Sequence, residues 1–216
     1  LLNHEVGAGD YAVYSYRKYL PQPDGALLVA DFPLEKIELA PASEIYVSLR
    51  LIGKLIRCRG DSESFLDLFS RAEDMIDNFI CPREMSFLSG YLLARCDGAA
   101  IARKRRENFF YLNQLLADQG WLSPYLSPLF DSLEDHEVPL GLPVLVDPAC
   151  RNRLRCYLMS QNIFCPVHWS CDDLYEKHGW DDEAELSRSL LTLPIDQRLN
   201  YSDLDRLCEK LGRFFG

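Results

Sequence analysis

Two strand-like segments separated by a turn open the chain, and helix-spaced segments follow them. Residues 10–16 alternate and are rich in Tyr and Val, whereas residues 26–31 form the continuous apolar run of a buried strand. Pro21, Pro23 and Gly25 mark the turn between them. Apolar positions at helical spacing then predict helices over residues 45–57, 62–79, 86–95 and 99–118.

The second half of the chain mixes strands and helices as well. The predicted order is a strand at 138–146, a helix at 148–161, a short strand or extended loop at 163–167, a strand at 190–193 and a final amphipathic helix. Asp147 and Pro148 are typical of a helix start, and Ser202 to Asp205 resembles a capping arrangement. The pattern favours an α/β arrangement at the start of the chain and α+β later.

Composition restricts the possible partners. The chain has 216 residues, of which 48% are hydrophobic, so it can build one large domain or two small ones. Its net charge of −10 is unfavourable for binding nucleic acid or anionic membrane, and the basic run Arg103 to Arg106 fits a solvated helix face. No apolar stretch approaches the roughly 20 residues that span a bilayer, so we expect no membrane segment.

Eight cysteines are scattered without a Cys-x-x-Cys pair, which is typical of reduced thiols in a cytoplasmic protein. Cys165, His168 and Cys171 lie close together in sequence, but a second paired set at zinc-finger spacing is missing. We therefore expect no metal site.

The segment GDYAVYSYRKYLPQPDGALLV, residues 9–29, places Lys18 three residues after Ser15 and six before Asp24-Gly25-Ala26. It resembles the cofactor-lysine segment of the DegT/DnrJ/StrS family of pyridoxal-phosphate sugar aminotransferases, with Ala26 in place of the second glycine of the acidic-Gly-Gly turn. Four later segments resemble further family motifs in the same order: 82–86, 105–112, 153–169 and 191–198. The ordered set makes the resemblance much stronger than any single motif.

The resemblance implies a fold class: the C-terminal part of a fold-type-I pyridoxal-phosphate transferase, α/β, with the end of the large-domain sheet and an α+β small domain. We expect the rest of the large domain in residues 1–85 and the small domain in residues 86–216. The family's N-terminal half has no counterpart here, and the chain opens at Leu1 without a methionine. Both features predict a piece of a longer chain.

The resemblance also assigns residues. Lys18 would be the catalytic lysine that binds pyridoxal 5′-phosphate covalently and then carries a proton. Ser15 would donate to the cofactor phosphate, and Arg83 would contact the cofactor phosphate or the substrate, with Arg17 a weaker candidate. His168 and Trp169 would offer a sugar-nucleotide substrate a hydrogen bond and an aromatic face.

By this resemblance the chain is an aminotransferase that moves an amino group from an amino acid such as glutamate to a keto-sugar nucleotide, in polysaccharide or related sugar biosynthesis, as a homodimer. An alternative is a non-catalytic remnant or fragment that dimerises through the same fold. A relative that uses the cofactor for dehydration or regulation is a third possibility. Lys18 speaks against the dehydrating branch, in which a histidine replaces the lysine.

Overall fold

The computed structural model describes residues 11–34, 36–59, 64–120, 124–168 and 172–216. The chain divides into two compact units, Leu1–Gly98 and Ala99–Gly216. Mixed strands and helices occur in the described parts of the chain, which confirms the predicted fold class. Among the described helices, none combines the length and apolar character of a membrane span.

The first unit begins with an antiparallel pair of strands, β1 (Tyr11–Ser15) and β2 (Ala26–Ala30). Tyr11 pairs with Ala30 and Ser15 pairs with Ala26. The loop between the strands is therefore closed by the Ser15–Ala26 pair. Both strands lie within the ranges predicted from their apolar patterns. A short 3-10 helix, Tyr16–Lys18, follows β1 directly.

Three α-helices follow in the described part of the first unit: α1 (Glu44–Cys58), α2 (Ser64–Asp77) and α3 (Phe87–Leu93). Serine side chains cap two of them, since Ser43 accepts from the Tyr46 amide and Ser86 accepts from the Ser89 amide. Helices α1 and α2 pack closely, because a Cβ atom added at Gly53 of α1 would lie 2.6 Å from the Phe69 ring of α2.

The second unit holds a three-stranded antiparallel sheet in the order β3 (Leu126–Pro128), β4 (Leu142–Val146) and β5 (Leu190–Leu193). Its helices, in chain order, are α4 (Gly98–Asp118), α5 (Pro148–Ser160), α6 (Asp172–Lys177), α7 (Asp181–Ser189) and α8 (Tyr201–Phe215). Helix α4 begins one residue before the limit of this unit.

One hydrophobic cluster fills the second unit, and all of its buried members lie between Phe109 and Leu211. Strand β4 contributes Leu142 and Val144, and α8 contributes Leu204, all fully buried. The cluster therefore joins residues far apart in sequence, as a core of packed sheet and helices requires.

Two polar side chains of α4 hold loops of the second unit. Asn108, fully buried, donates through its amide nitrogen to the carbonyls of Ile195, Asp196 and Leu199 at 3.1–3.2 Å. Arg105 bonds the side chain of Gln197 and the carbonyls of Pro139 and Leu140. The Arg-x-x-Asn part of the motif at 105–112 thus anchors loops of this unit.

Helix starts in the second unit agree partly with the sequence. Asp147 caps α5 as predicted, because its carboxylate accepts from the Ala149 amide at 2.8 Å. The cap of α8 lies earlier than predicted: Asn200 accepts from the Asp203 amide, and the Asp203 carboxylate accepts from the Asn200 amide. The expected arrangement starting at Ser202 was wrong, since Asn200 and Asp203 form the reciprocal box.

The predicted domain boundary after residue 85 stays a prediction. In the structure, α3 belongs to the first unit, which extends to Gly98. Contacts between the β1–β2 loop and the start of α3, described below, account for that placement.

Candidate functional site

The candidate site is the loop between β1 and β2, residues Ser15 to Gly25, which we call the lysine turn. The Tyr19 amide donates to the Tyr16 carbonyl at 3.1 Å, which is a bond of 3-10 spacing, and the Leu20 amide donates to the same carbonyl at 2.9 Å. Gly25 ends the loop with φ +102°, and its carbonyl accepts from the Tyr16 amide at 3.2 Å. This backbone region strongly favours glycine, and it allows the chain to enter β2.

Lys18 is the last residue of the 3-10 helix and is exposed. Within the described ranges its amine makes neither a hydrogen bond nor an ion pair. Ser15 stands three residues earlier, partly buried, and its hydroxyl likewise has no partner among the described residues. Ser15 is the extended residue directly before the 3-10 helix and Lys18 is the last residue of that helix, so the hydroxyl and the amine lie at the two ends of a single turn.

Arg17 lies between these two residues and is engaged elsewhere. Its guanidinium bonds both carboxylate oxygens of Glu73 on α2, at 3.1 and 3.3 Å. Arg50 of α1 donates to the same carboxylate at 2.7 Å and lies over the Phe69 ring. Burial, followed by the charge of Arg17, lowers the pKa of Arg50, and Glu73 acts in the opposite direction. Glu73 thus links the lysine turn to both helices.

Asp24 fastens the far end of the turn to α3. Its carboxylate accepts from the Ser86 amide at 2.9 Å, from the Ser86 hydroxyl at 2.7 Å and from the Ser89 hydroxyl. A carboxylate at a helix N-terminus is also favoured by the helix dipole. The neighbouring Gly25 contacts Met85, because an added Cβ atom would lie 2.9 Å from Met85 Cγ. Two sequence-distant motifs, at 24–26 and 82–86, therefore meet here.

The residues of the lysine turn fit pyridoxal phosphate. The cofactor needs an accessible amine for its aldehyde and hydrogen-bond donors for its phosphate. In the turn, Lys18 and Ser15 supply one of each, and both groups are uncommitted within the described residues. Arg17, by contrast, is held by Glu73.

Arg83 lies in the same unit but uses its guanidinium locally. It is exposed, donates to the Pro41 carbonyl at 2.9 Å and lies 4.3 Å from the centroid of the Phe79 ring. The backbone beside it pairs with Ala40, which accepts from the Glu84 amide and donates to the Pro82 carbonyl. The expected role of Arg83 toward cofactor or substrate stays a prediction.

His168 belongs to the second unit and is partly buried at the end of an extended segment. That segment is a loop held beside β5, since the Thr192 amide donates to the Pro166 carbonyl at 3.1 Å. Trp169 and Cys171 lie outside the described residues, so their expected roles are not addressed by the structure. Burial raises the pKa of the Cys165 thiol to about 12.

Three supporting residues were missed at the sequence level: Arg50, Lys54 and Glu73. Lys54 of α1 donates to three backbone carbonyls of the lysine turn. Tyr46, Arg50 and Lys54 are spaced four residues apart, which places two cations on the helix face that carries the buried Tyr46. That spacing could have marked Arg50 and Lys54 as sharing one helix face, but it does not show which groups they bind, and it gives no signal for Glu73.

No protein family and no curated protein matches the sequence of the chain. Its structure is similar to PseC from Helicobacter pylori, an aminotransferase in pseudoaminic acid biosynthesis, at 18% identity and TM-score 0.47 over 59% of this chain and 36% of that one. The aminotransferase TlmJ from Streptoalloteichus hindustanus is similar at 17% identity and TM-score 0.44, over 59% and 35% of the two chains.

A DegT DnrJ EryC1 StrS aminotransferase from Brucella abortus is similar at 13% identity and TM-score 0.43, over 63% of this chain and 38% of that one. The chain therefore spans little more than a third of the length of these solved structures. All three are aminotransferases, and one is of the family whose motifs this sequence resembles.

Proposed function

We propose that the chain carries the cofactor lysine of a pyridoxal-phosphate-dependent aminotransferase that transfers an amino group from an amino acid such as glutamate to a keto-sugar nucleotide. The proposal includes a cytoplasmic homodimer acting in polysaccharide or related sugar biosynthesis. The observation that carries it is that the lysine turn holds two groups with no partner among the described residues, the Lys18 amine and the Ser15 hydroxyl. The ordered motifs of the sequence supply the family context.

When bound, the cofactor supplies an aldehyde that condenses with an amine, releasing water, and a ring that accepts the electron pair of a broken C–H bond. Lys18 Nζ is the nucleophile of that attachment, and its exposure leaves it accessible. Once released, the same amine is placed to take a proton from one carbon and return it to another. One residue thereby performs both tasks.

Ser15 would hold the phosphate of the cofactor through its hydroxyl. A partly buried hydroxyl without another partner among the described residues can donate to an anion and break no bond described within the protein. Arg83, His168 and Trp169 are proposed to contact cofactor or substrate, as the motifs suggest. For Arg83 this requires exchange of its bond to the Pro41 carbonyl.

The test adds pyridoxal phosphate to the purified chain, records the visible absorption and traps attachment with borohydride before peptide mass spectrometry. We expect the added mass on the peptide that contains Lys18 and its loss in Lys18→Ala. Lys36→Ala is the matched control, because Lys36 is another exposed lysine of the first unit without a described partner. Equal labelling of Lys18 and Lys36 would show nonspecific chemistry and overturn the proposal.

A second candidate function is a non-catalytic module that associates through its apolar surface. The β1–β2 pair favours it, because Tyr11, Val13 and Leu28 are 56%, 72% and 37% exposed. Tyr11 and Val13 project from one face of β1, and Leu28 is the cross-strand partner of Val13. A chain that dimerises in light scattering yet forms no borohydride-stable adduct at Lys18 would favour this second candidate.

A further inference from the structure

Lys54 joins α1 to the lysine turn through three hydrogen bonds. Its Nζ donates to the carbonyls of Arg17, Leu20 and Gln22, at 3.3, 3.0 and 2.8 Å. A lysine ammonium has three donor hydrogens and no acceptor, so it can make these three bonds at once. Bonds from a charged donor are also stronger than those between neutral groups.

The three carbonyls surround the position of Lys18 in the chain. The Arg17 carbonyl belongs to the peptide group that Arg17 shares with Lys18, so its bond to Lys54 fixes the peptide plane directly before the Lys18 Cα atom. The Leu20 and Gln22 carbonyls fix the segment that follows. Lys54 thus restrains the backbone on both sides of Lys18 without touching its amine.

Residues on both sides of Lys18 are also buried, whereas Lys18 itself is not. Tyr16, Leu20 and Gln22 are buried, with exposed fractions of 8%, 4% and 0%, whereas Lys18 is exposed. A long, exposed side chain has free rotamers, and only the direction of its Cα–Cβ bond is set by the backbone. The contacts of Lys54 therefore help to determine the position and direction from which the Lys18 side chain leaves the backbone.

We propose that Lys54 is a positioning residue: it fixes the backbone that carries Lys18 relative to Ser15, so that one ligand can engage the amine and the hydroxyl together. This inference rests on the proposed function, because the ligand is an aldehyde that carries a phosphate. It adds a residue of α1 that touches neither the amine nor the hydroxyl. Its consequence is selective: loss of Lys54 weakens ligands that need both groups more than ligands that need the amine alone.

The experiment compares two probes on the purified chain, pyridoxal 5′-phosphate and pyridoxal, which has the aldehyde without the phosphate. Dissociation constants are measured from visible absorption for the unchanged chain, Lys54→Met, Lys54→Arg and the control Lys36→Met. In Lys54→Met we expect about tenfold weaker pyridoxal phosphate binding, the size of one charge-assisted hydrogen bond, and at most about a twofold change for pyridoxal. Lys54→Arg, which keeps charge and donors, should recover part of the loss.

A second readout needs no cofactor. Hydrogen exchange followed by mass spectrometry should show faster exchange in residues 16–22 of Lys54→Met and unchanged exchange in α8 of the second unit. If Lys54→Met does not fold, Lys54→Gln keeps a donor group at the position and replaces it in both measurements.

The outcomes separate this inference from the proposed function. If the unchanged chain forms no borohydride-stable adduct at Lys18, the proposed function fails, and this inference fails with it. If the adduct forms but Lys54→Met weakens both probes equally, or neither, the positioning role alone is overturned. A selective loss for pyridoxal phosphate, with unchanged Lys36→Met, supports both.

Discussion

Each unit of the chain holds a loop through one side chain that donates to three backbone carbonyls. Lys54 does so for the lysine turn, and Asn108 does so for residues 195–199. Asn108 is fully buried beside a hydrophobic cluster, whereas Lys54 is half-buried. The Asn108 loop leads into α8, and the lysine turn leaves an amine in solvent.

The difference shows how the backbone of an exposed side chain can be fixed. In the second unit, apolar burial already orders the chain, and the amide of Asn108 donates to the carbonyls of Ile195 and Leu199 and shares the Asp196 carbonyl with the Leu199 amide. Lys18 cannot be ordered by burial if its amine must stay accessible. Its backbone is therefore fixed by the polar contacts of Lys54, Glu73 and Asp24.

Asn108→Ala removes the three hydrogen bonds that hold residues 195–199, and it should have the largest effect on stability. We expect the free energy of unfolding to fall by about 3 kcal/mol, because the Ile195 and Leu199 carbonyls lose this donor and the Asp196 carbonyl keeps only the Leu199 amide. Denaturant unfolding measures the loss. The control is Gln114→Ala on the same helix, where an exposed amide bonds only Asp118. If Asn108→Ala lowers the free energy of unfolding no more than Lys54→Met does, the contrast between the Asn108 and Lys54 contacts is wrong.

Gly25→Ala tests the end of the lysine turn. We expect a loss of about 2 kcal/mol, because alanine is strained at φ +102° and its Cβ atom would overlap the side chain of Met85. Gly179→Ala is the matched control in the second unit, since Gly179 has φ +73° but nothing near its added Cβ atom. In a Met85→Ala background the cost of Gly25→Ala should approach that of Gly179→Ala. Equal costs in the unchanged background would show that Met85 does not crowd Gly25.

Glu73→Gln tests the ion pairs of Glu73 with Arg17 and Arg50, which we call the brace of the first unit. It leaves the guanidinium groups of Arg17 and Arg50 without their anion, but the Glu73 side chain is 47% exposed, so water compensates much of the loss. We expect about 1 kcal/mol lower free energy of unfolding and faster hydrogen exchange in residues 16–22. Asp67→Asn, which removes an exposed pair with Arg71, should change neither. If both variants behave alike, the brace contributes no more than a surface ion pair.

Periodicity predicted most of the elements because apolar spacing directly reflects burial. The helix predicted at 99–118 and the strand at 190–193 agree with α4 and β5 almost to the residue. Strand β3 was missed because three residues, one of them Pro128, carry no periodic signal. Helices α6 and α7 were missed because charged residues dominate them and only Ala184 and Ser187 are buried in α7.

The candidate site was predicted through the motif around Lys18, but its supports were not. Lys54, Arg50 and Glu73 act through bonds that span from 23 to 56 residues of sequence, which no local pattern encodes. Asp24 and Ser86 were both noted in motifs, and only the fold shows that they bind each other. A sequence motif can identify the candidate site residues, whereas the contacts that position these residues depend on tertiary structure.

Acid should act on the loop held by Asn108, through Asp196. Burial by itself raises the pKa of the Asp196 carboxyl, but hydrogen bonds and charge from Arg198, aided by Arg105, outweigh burial and lower it. A lowered folded-state pKa contributes stability above the pKa of an unfolded aspartate, about 4, and that stability is lost as pH falls through the folded value. The free energy of unfolding should therefore fall on acidification below about pH 4.

Asp196→Asn should remove this part of the pH dependence and cost at most about 1 kcal/mol at pH 7, because the partner Arg198 is 43% exposed. The measurement is denaturant unfolding from pH 7 to 3, with hydrogen exchange of residues 195–199. Asp131→Asn, at an exposed carboxylate without a described partner, is the control. An acid profile unchanged by Asp196→Asn would mean that Asn108 holds that loop without help from Asp196.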